Sequence, residues 1–354
     1  MKLENLRREI DEIDSKLVDL LNERMRKVLG IAEAKRKRKE PFYSPAREKK
    51  ILKGLVQYNQ GPLPNEALIE IVQLILKTSL SLQSEPKVVY FGSPATFTHL
   101  AALKSFGKGA ELIPAKSIGE IFSTVEKRQV EFGVVPVENS TEGVVTHTLD
   151  MFLDSDLRIC AEIILEISHH LLGRGTLEKV EKIYSHPQAL AQCRGWLEQN
   201  VPTVRLGEVE STAKAAQMAA KDFTFAAIAS DVAASLYGLN IIASHIEDSP
   251  HNFTRFLVIG REYNKESSGQ DKTSVLFSIK DRVGALHEML APFIKHGINL
   301  TKIESRPTKR RAWEYVFFLD FFGHKDEEKV KKALAELEES CFFLKVLGSY
   351  PRGE

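Results

Sequence analysis

The chain has 354 residues, of which 43% are hydrophobic and 27% charged, values typical of a globular protein with about two or three domains. Its 49 basic and 48 acidic residues give a net charge of +1, which argues against nucleic acid or an anionic membrane as the main partner. Three widely spaced cysteines exclude a disulfide framework and a zinc cluster, and with neither a signal-like start nor a membrane-spanning apolar run we expect a cytoplasmic protein.

Residues 1–86 are predicted to form an all-helical domain. Apolar residues recur at helical spacing over residues 3–39, and Pro41 ends this first helix. A second helix is predicted to begin at Ser44 and a third to span about 64–83. A helix of about 36 residues is about 54 Å long. Because two shorter helices cannot cover its apolar stripe, we expect the domain to form dimers.

Polar side chains fall inside the apolar faces of these predicted helices. Arg24 and Lys35 lie within the apolar arc of the first helix, and Glu48 lies between apolar residues of the second. Ser79 and Gln83 lie on the apolar face of the third. Buried charges cost several kcal/mol unless they are paired, and one carboxylate cannot satisfy two cations. Spacing alone leaves open a site for a small anion or a purely structural ion network.

These positions resemble the all-helical, intertwined dimeric chorismate mutases over residues 1–85. The matching residues are Arg7, Arg24, Lys35, Arg47, Glu48, Ser79 and Gln83. The resemblance implies a rearrangement of chorismate to prephenate, in which cations hold the two carboxylates of the substrate. It implies that Lys35 and Gln83 donate to the ether oxygen and that Glu48 holds the ring hydroxyl.

Two positions of this match carry a further implication. In the family pattern, Arg7 enters the active site of the partner chain. Ser44 stands where some family members carry an aspartate. It either hydrogen-bonds to the substrate hydroxyl or only caps the second helix.

Residues 87–263 are predicted to form a two-lobed α/β domain, because short apolar strands alternate with helical patterns. The strand at 252–260 is expected to return to the first lobe after the second is complete. Several strands lead directly into helix starts that carry serine or threonine. Such starts bind small dicarboxylates well, although serine and threonine there usually only cap the helix.

Five segments together resemble prephenate dehydratase over residues 87–262: FGSPATFTHLAA, PVENSTEG, SHPQ, ESTAKAA and NFTRF. The resemblance implies that Thr254 is catalytic and donates a hydrogen bond to the leaving hydroxyl as prephenate loses CO2 and water. The substrate-binding residues that it implies are Thr96, Asn139, Ser140, Ser185, Gln188, Thr212, Phe253 and Arg255. Arogenate stays open as an alternative substrate. The ten histidines show no metal-ligand spacing, so we expect no metal and no other cofactor.

Residues 272–354 follow a polar linker at 264–269 and predict the βαββαβ order of ferredoxin-like folds. Segments 281–286 and 304–307 resemble the GAL and ESRP motifs of the ACT domain, the amino-acid sensor of this family. The resemblance implies that phenylalanine binds between two such domains. The residues implied are Gly284, Ala285, Leu286, Glu304, Ser305 and Arg306. The alternative is a dimerisation module that binds nothing. A chain ending before this tail is expected to remain an active dehydratase.

The sequence thus predicts a bifunctional enzyme of phenylalanine biosynthesis that acts on chorismate and prephenate, responds to phenylalanine and forms at least a homodimer. The alternative from another class is a two-lobed solute-binding or sensor protein. Such a protein would have no need of Thr254 or of the cationic helical interior.

Overall fold

The computed structural model describes residues 3–38, 40–262, 266–279, 282–307 and 315–353. The chain divides into two compact units, one formed by Met1–Pro86 with Phe106–Glu111 and the other by Lys87–Ser105 with Leu112–Glu354. None of the helices within the described ranges combines the length and apolarity needed to cross a membrane.

The first unit is built on three helices, α1 (Leu3–Arg38), α2 (Pro45–Tyr58) and α3 (Asn65–Gln83). These bounds confirm the predicted helices, although Lys39, where the first was expected to end, lies outside the described residues. Periodic apolar residues explain the packing: Val28 of α1 and Leu76 of α3 are buried in its core. The N-terminal half of α1, by contrast, leaves its apolar stripe exposed within one chain.

The second unit begins with a two-lobed α/β arrangement. Its strands are β1 (Lys87–Phe91), β2 (Glu111–Ala115), β3 (Phe132–Asn139), β4 (Gly143–Val144), β5 (Arg158–Glu166), β6 (His170–Gly173), β7 (Lys182–Ser185), β8 (Arg205–Glu208), β9 (Phe225–Ala229), β10 (Asn240–Ala243) and β11 (Phe253–Gly260). One sheet has the order β2-β1-β3-β11-β5, with β4 beside β3, and the other has the order β10-β6-β9-β7-β8. Strand β11 lies antiparallel between β3 and β5, which confirms its predicted return to the first lobe.

The helices of the two lobes connect these strands. They are α4 (Phe97–Phe106), α5 (Ile118–Glu126), α6 (Thr146–Met151), α7 (Pro187–Gln192), α8 (Arg194–Asn200), α9 (Thr212–Ala219) and α10 (Asp231–Tyr237). The strand that ends at Asn139 was among those expected to lead directly into a helix, at Ser140, but the helix begins only at Thr146. Gly143 adopts a left-handed φ of 86°, which lets the chain form the short strand β4 before α6 begins.

The tail forms the predicted βαββαβ domain. Its elements are β12 (Asp271–Ser278), α11 (Ala285–Lys295), β13 (Leu300–Pro307), β14 (Tyr315–Phe322), α12 (Glu328–Ser340) and β15 (Phe343–Pro351). They form one antiparallel sheet of order β13-β14-β12-β15. Residues 264–265 of the predicted linker and Asp281 lie outside the described residues.

The tail domain shares a hydrophobic core with the first lobe. Leu276, Phe318 and Leu347 are buried in the same cluster as Ile159 and Leu257 of the lobe. Gly348 of β15 packs directly against the lobe, because a Cβ atom at this position would lie only 2.2 Å from the carbonyl oxygen of Ile159. Removal of the tail would therefore expose an apolar face of the lobe. The expectation that the dehydratase stays active without its tail loses its structural basis.

Candidate active sites

The predicted site of the helical unit joins α1 to α3 through a polar contact. Arg24 Nη1 donates a hydrogen bond of 2.5 Å to Ser79 Oγ, and Ser79 in turn donates to the carbonyl of Ile75. Ser79 is buried and Arg24 is half-buried. The two residues that spacing placed on the apolar faces of different helices thus meet in the interior.

Lys35 and Gln83 lie at the other end of this polar interior. Lys35 Nζ donates to the carbonyls of Pro41 and Phe42 in the loop that precedes α2, at 3.0 and 3.3 Å. Gln83 Oε1 is buried and has no hydrogen-bond partner within the described part of the chain. An amide with unused hydrogen-bonding capacity is suited to a polar ligand.

Glu48 lies half-buried on α2 close to two lysines. Burial raises the pKa of its carboxyl to about 7, and the positive charges of Lys77 and Lys35 oppose this rise. Burial also lowers the pKa of Lys77, while Glu48 acts in the opposite direction. The sequence analysis did not identify Lys77, because its position on α3 carries no motif signal. The interior is therefore more cationic than predicted.

Two of the predicted arginines, Arg7 and Arg47, are exposed, and Ser44 does not use its hydroxyl as a cap. Arg7 and the half-buried Arg24 are 17 residues apart on one helix, so they are separated by about 25 Å. One small dianion cannot contact both within a chain. Arg47 is also exposed and lies outside the interior. The Ser44 side chain makes no capping hydrogen bond to α2, which removes the reason for assigning it that role alone.

The second unit contains a cleft of about 580 Å3 that is lined by both lobes. The predicted residues that line it are Thr96, Asn139, Gln188, Thr212 and Thr254. They come from helix starts and strand ends of both lobes, as the α/β pattern predicts. A bulge in the β3–β11 pairing lies directly after Arg255, beside this cleft.

Thr254 and Asn139 form the central polar contact of the cleft. Two backbone N–H groups, those of Thr141 and Glu142, donate to Asn139 Oδ1 at 3.0 and 3.1 Å. The amide nitrogen of Asn139 is therefore directed at Thr254, to whose Oγ1 it donates at 2.8 Å. Because Thr254 Oγ1 accepts this bond, its own proton remains available to a group in the cleft.

A network of residues to which the sequence analysis assigned no role surrounds this contact. Gln192 Nε2 donates to Glu142 Oε1, so Gln192 Oε1 faces His169 Nε2 at 2.8 Å and Asn252 Nδ2 at 3.2 Å. His169 Nε2 must then carry the proton, and burial lowers the pKa of His169, which keeps the ring neutral. Gln192 lies one helical turn after Gln188, and that spacing was a usable signal.

Four of the eight residues predicted to bind the substrate of this cleft do not line it. Phe253 and Arg255 flank Thr254 on β11, and since side chains alternate along a strand they point away from the cleft. Ser185 is fully buried and donates to the carbonyl of Ile228. The Ser140 hydroxyl accepts from the Phe253 N–H at 2.9 Å and joins the two strands.

The predicted effector residues lie at two places in the tail. Gly284 precedes α11 with a left-handed φ of 79°, a conformation that favours glycine. Ser305 is exposed on β13, between the half-buried Glu304 and Arg306. The Arg306 guanidinium is bound by both carboxylate oxygens of Asp150, at 3.1 and 3.3 Å, so this side chain faces the dehydratase lobe.

Comparison with known proteins finds a matching family for the helical segment, the two-lobed α/β segment and the tail domain. Family models match as chorismate mutase type II at 6–84, prephenate dehydratase at 88–264 and ACT domain at 273–339. The bifunctional chorismate mutase/prephenate dehydratase of Aquifex aeolicus is 52% identical over 99% of this chain and 98% of its own. The chain belongs to the bifunctional chorismate mutase/prephenate dehydratase family. It combines an isomerase with a lyase of aromatic amino acid biosynthesis.

A further member of this family and a solved dehydratase are also similar to this chain. The bifunctional chorismate mutase/prephenate dehydratase of Pseudomonas aeruginosa is 46% identical over 99% of this chain and 98% of its own. A solved prephenate dehydratase from Arthrobacter aurescens, in complex with L-Phe, is 35% identical and superimposes with a TM-score of 0.69. It covers 75% of this chain and 90% of its own.

Proposed function

We propose that the chain converts chorismate to prephenate in the helical unit and prephenate to phenylpyruvate, CO2 and water in the cleft, and that phenylalanine inhibits the second reaction. The observation that carries the dehydratase proposal is the hydrogen bond from Asn139 to Thr254 at the cleft. The half-buried Arg24, Lys35 and Glu48 in one helical interior support the mutase proposal.

In the cleft, Thr254 supplies the proton-donating contact that the leaving hydroxyl of prephenate needs. The bond between the ring and the departing carboxylate breaks, and its electron pair moves into the ring. The ring becomes aromatic as the C–O bond to the leaving hydroxyl breaks. Hydroxide is a poor leaving group, so a positioned donor at that oxygen lowers the barrier. Asn139 holds Thr254 Oγ1 as an acceptor and so directs its proton toward the substrate. A largely buried site strengthens both hydrogen bonds.

In the helical unit, catalysis requires binding and electrostatic stabilisation only. Arg24 and Lys35 bind the two carboxylates of chorismate and hold the conformer that rearranges. Lys35 and Gln83 donate to the ether oxygen, on which negative charge grows as its bond to the ring breaks. Glu48 contacts the ring hydroxyl. Its raised pKa suits this role, because a protonated carboxyl does not repel a dianionic substrate.

We also propose that two chains form each mutase site. Leu3, Ile13 and Leu20 of α1 remain 60–63% exposed in a single chain, a contiguous stripe that a second copy would cover. The separation of about 25 Å between Arg7 and Arg24 supports the same arrangement. The exposed Ser305 and the match to the ACT domain support phenylalanine as the effector of the tail.

One experiment tests these proposals together. The purified chain is incubated with chorismate, and chorismate loss and phenylpyruvate formation are followed with and without phenylalanine. Arogenate is offered separately, because it differs from prephenate by an amine in place of the keto group. Consumption of chorismate without formation of phenylpyruvate would contradict the dehydratase proposal. Equal rates with and without phenylalanine would contradict inhibition.

A further inference from the structure

The strand pair that carries Asn139 and Thr254 at the cleft carries a second residue pair on its opposite face. Thr254 is paired with Asn139 in the β3–β11 register, and Arg255 is paired with Glu138 at the next position. Because side chains alternate along strands, the second pair faces away from the cleft. The two pairs therefore share the same short stretch of backbone.

On that opposite face, Arg255 and Glu138 contact the tail domain. Arg255 Nη1 donates to Asp320 Oδ2 at 2.6 Å, and its Nη2 donates to the Tyr350 hydroxyl at 2.9 Å. Lys302 Nζ lies 2.8 Å from Glu138 Oε2. These contacts come from β13, β14 and β15, so three of the four tail strands hold the pair.

Two further charges complete an interface cluster of three cations and three carboxylates. Its members are Glu138, Glu162, Arg255, Lys272, Lys302 and Asp320. Glu162 Oε2 accepts from Arg255 Nε at 2.8 Å and from Lys272 Nζ at 2.7 Å. Only 1% of the Glu162 side chain and 11% of the Arg255 side chain are exposed. Loss of one member leaves a buried charge without its partner, which is strongly destabilising.

Hydrogen bonds from neutral side chains fix the geometry of this cluster. Ser274 Oγ donates to Asp320 Oδ1 at 2.5 Å and lies 2.6 Å from the Tyr350 hydroxyl. Although burial opposes ionisation, Arg255 and Ser274 hold the pKa of the Asp320 carboxyl below its ordinary value. The planar guanidinium thus has three partners in a defined orientation, which a flexible lysine could not reproduce.

We propose that Arg255 and Glu138 are positioning residues of the dehydratase reaction, through which the tail domain fixes the backbone that holds Asn139 against Thr254. This inference rests on the proposed dehydratase function. It assigns Arg255 no contact with the substrate. A displacement of about 1 Å at a reacting group can cost about 100-fold in rate, so a small movement of the tail sheet is sufficient to alter catalysis.

The test uses conservative variants of the tail in the full-length chain. Asp320→Asn removes the negative charge paired with Arg255, Tyr350→Phe removes the hydroxyl that accepts from Arg255, and neither residue lines the cleft. We expect kcat for prephenate to fall about tenfold in Asp320→Asn and about threefold in Tyr350→Phe, with KM changed by less than about twofold. Mutase turnover is expected to stay at the wild-type value.

Arg261→Gln is the matched control. Arg261 follows β11, and its guanidinium donates to the carbonyls of Val125 and Val130, outside the interface cluster. Its kcat is expected to equal that of the wild type. Thermal unfolding is recorded for every variant, and all assays are run well below the lowest transition. Tyr350→Phe removes a single hydroxyl, so it carries the test if Asp320→Asn does not fold.

The outcomes separate the inference from the function on which it rests. A wild-type chain without dehydratase activity would overturn the proposed function and this inference together. With an active wild type, tail variants that unfold at lower temperature but keep their kcat would assign the cluster to stability alone. A rise in KM at constant kcat would instead indicate that Arg255 binds substrate. An equal loss of kcat in Arg261→Gln would also contradict a specific role.

Discussion

Asn139 and Thr254 are direct partners on two paired strands, and the Asn139 amide donates to the Thr254 hydroxyl at 2.8 Å. The hydroxyl proton is left for the substrate because Asn139 cannot accept it in this orientation. We predict that Asn139→Asp lowers dehydratase kcat more than Asn139→Ala, since a carboxylate would accept the proton and repel a dianion. Losses of about 10-fold for alanine and at least about 100-fold for aspartate are expected in steady-state assays. The reverse order would contradict this orientation.

The raised pKa of Glu48 predicts a pH dependence of the mutase reaction. As pH increases through about 7, Glu48 ionises and adds a negative charge to the site at which we propose that a dianion binds. We therefore expect kcat/KM for chorismate to fall across this range in the wild type. Glu48→Gln cannot ionise, so its profile should be flat there, even if its rate is lower. The same inflection in both proteins would assign the titration to another group.

The distance between Arg7 and Arg24 predicts that inactive variants complement each other. Each of Arg7→Ala and Arg24→Ala should lose most chorismate mutase activity as a homodimer. When the two variants are refolded together, a mixed dimer has one site with both arginines intact. Activity should then recover to about half of the wild-type value per mixed dimer. Mixed dimers that remain inactive would mean that Arg7 does not serve the site of the partner.

The exposure of Ser305 on β13 predicts a separable effect on regulation. Ser305→Ala should weaken inhibition by phenylalanine, and turnover without the amino acid should be unchanged, because Ser305 does not line the cleft. Typical coupling energies of about 1–3 kcal/mol correspond to 5- to 150-fold changes in affinity. Thr301→Ala, another exposed hydroxyl on the same face of β13, is the matched control. Identical inhibition curves for all three proteins would exclude Ser305 from the effector site.

Elements with strong periodicity could be predicted from the sequence, and their relative orientation could not. The three helices of the first unit and the βαββαβ tail follow from apolar spacing and from breaks at proline and glycine. The strands β2, β4, β5, β6 and β8 were not identified. Of these, β2 and β8 are short and partly exposed, and β5 has a nearly continuous buried run rather than an alternating pattern.

Among the site residues, those marked by a motif could be predicted from the sequence, and those whose role depends on packing could not. Thr254 could be placed because a motif marks it, but the whole NFTRF motif cannot face the cleft when side chains alternate on β11. The role of Arg255 depends on which sheet covers its face, and that is decided by residues more than 60 positions away. His169, Gln192 and Asn252 come from three separate segments. Only the folded chain brings them together.

If two independent catalysts lie in one chain, Thr254→Val should stop the second reaction and leave the first intact. Valine keeps the shape and strand propensity of threonine and removes only the hydroxyl donor. We measure chorismate, prephenate and phenylpyruvate over time in the wild type and in this variant. Chorismate should disappear at the wild-type rate, with prephenate accumulating and phenylpyruvate formed at least about 100-fold more slowly. Phenylpyruvate formation at the wild-type rate would contradict the role of Thr254, and a parallel loss of chorismate consumption in a folded variant would contradict the independence of the two sites.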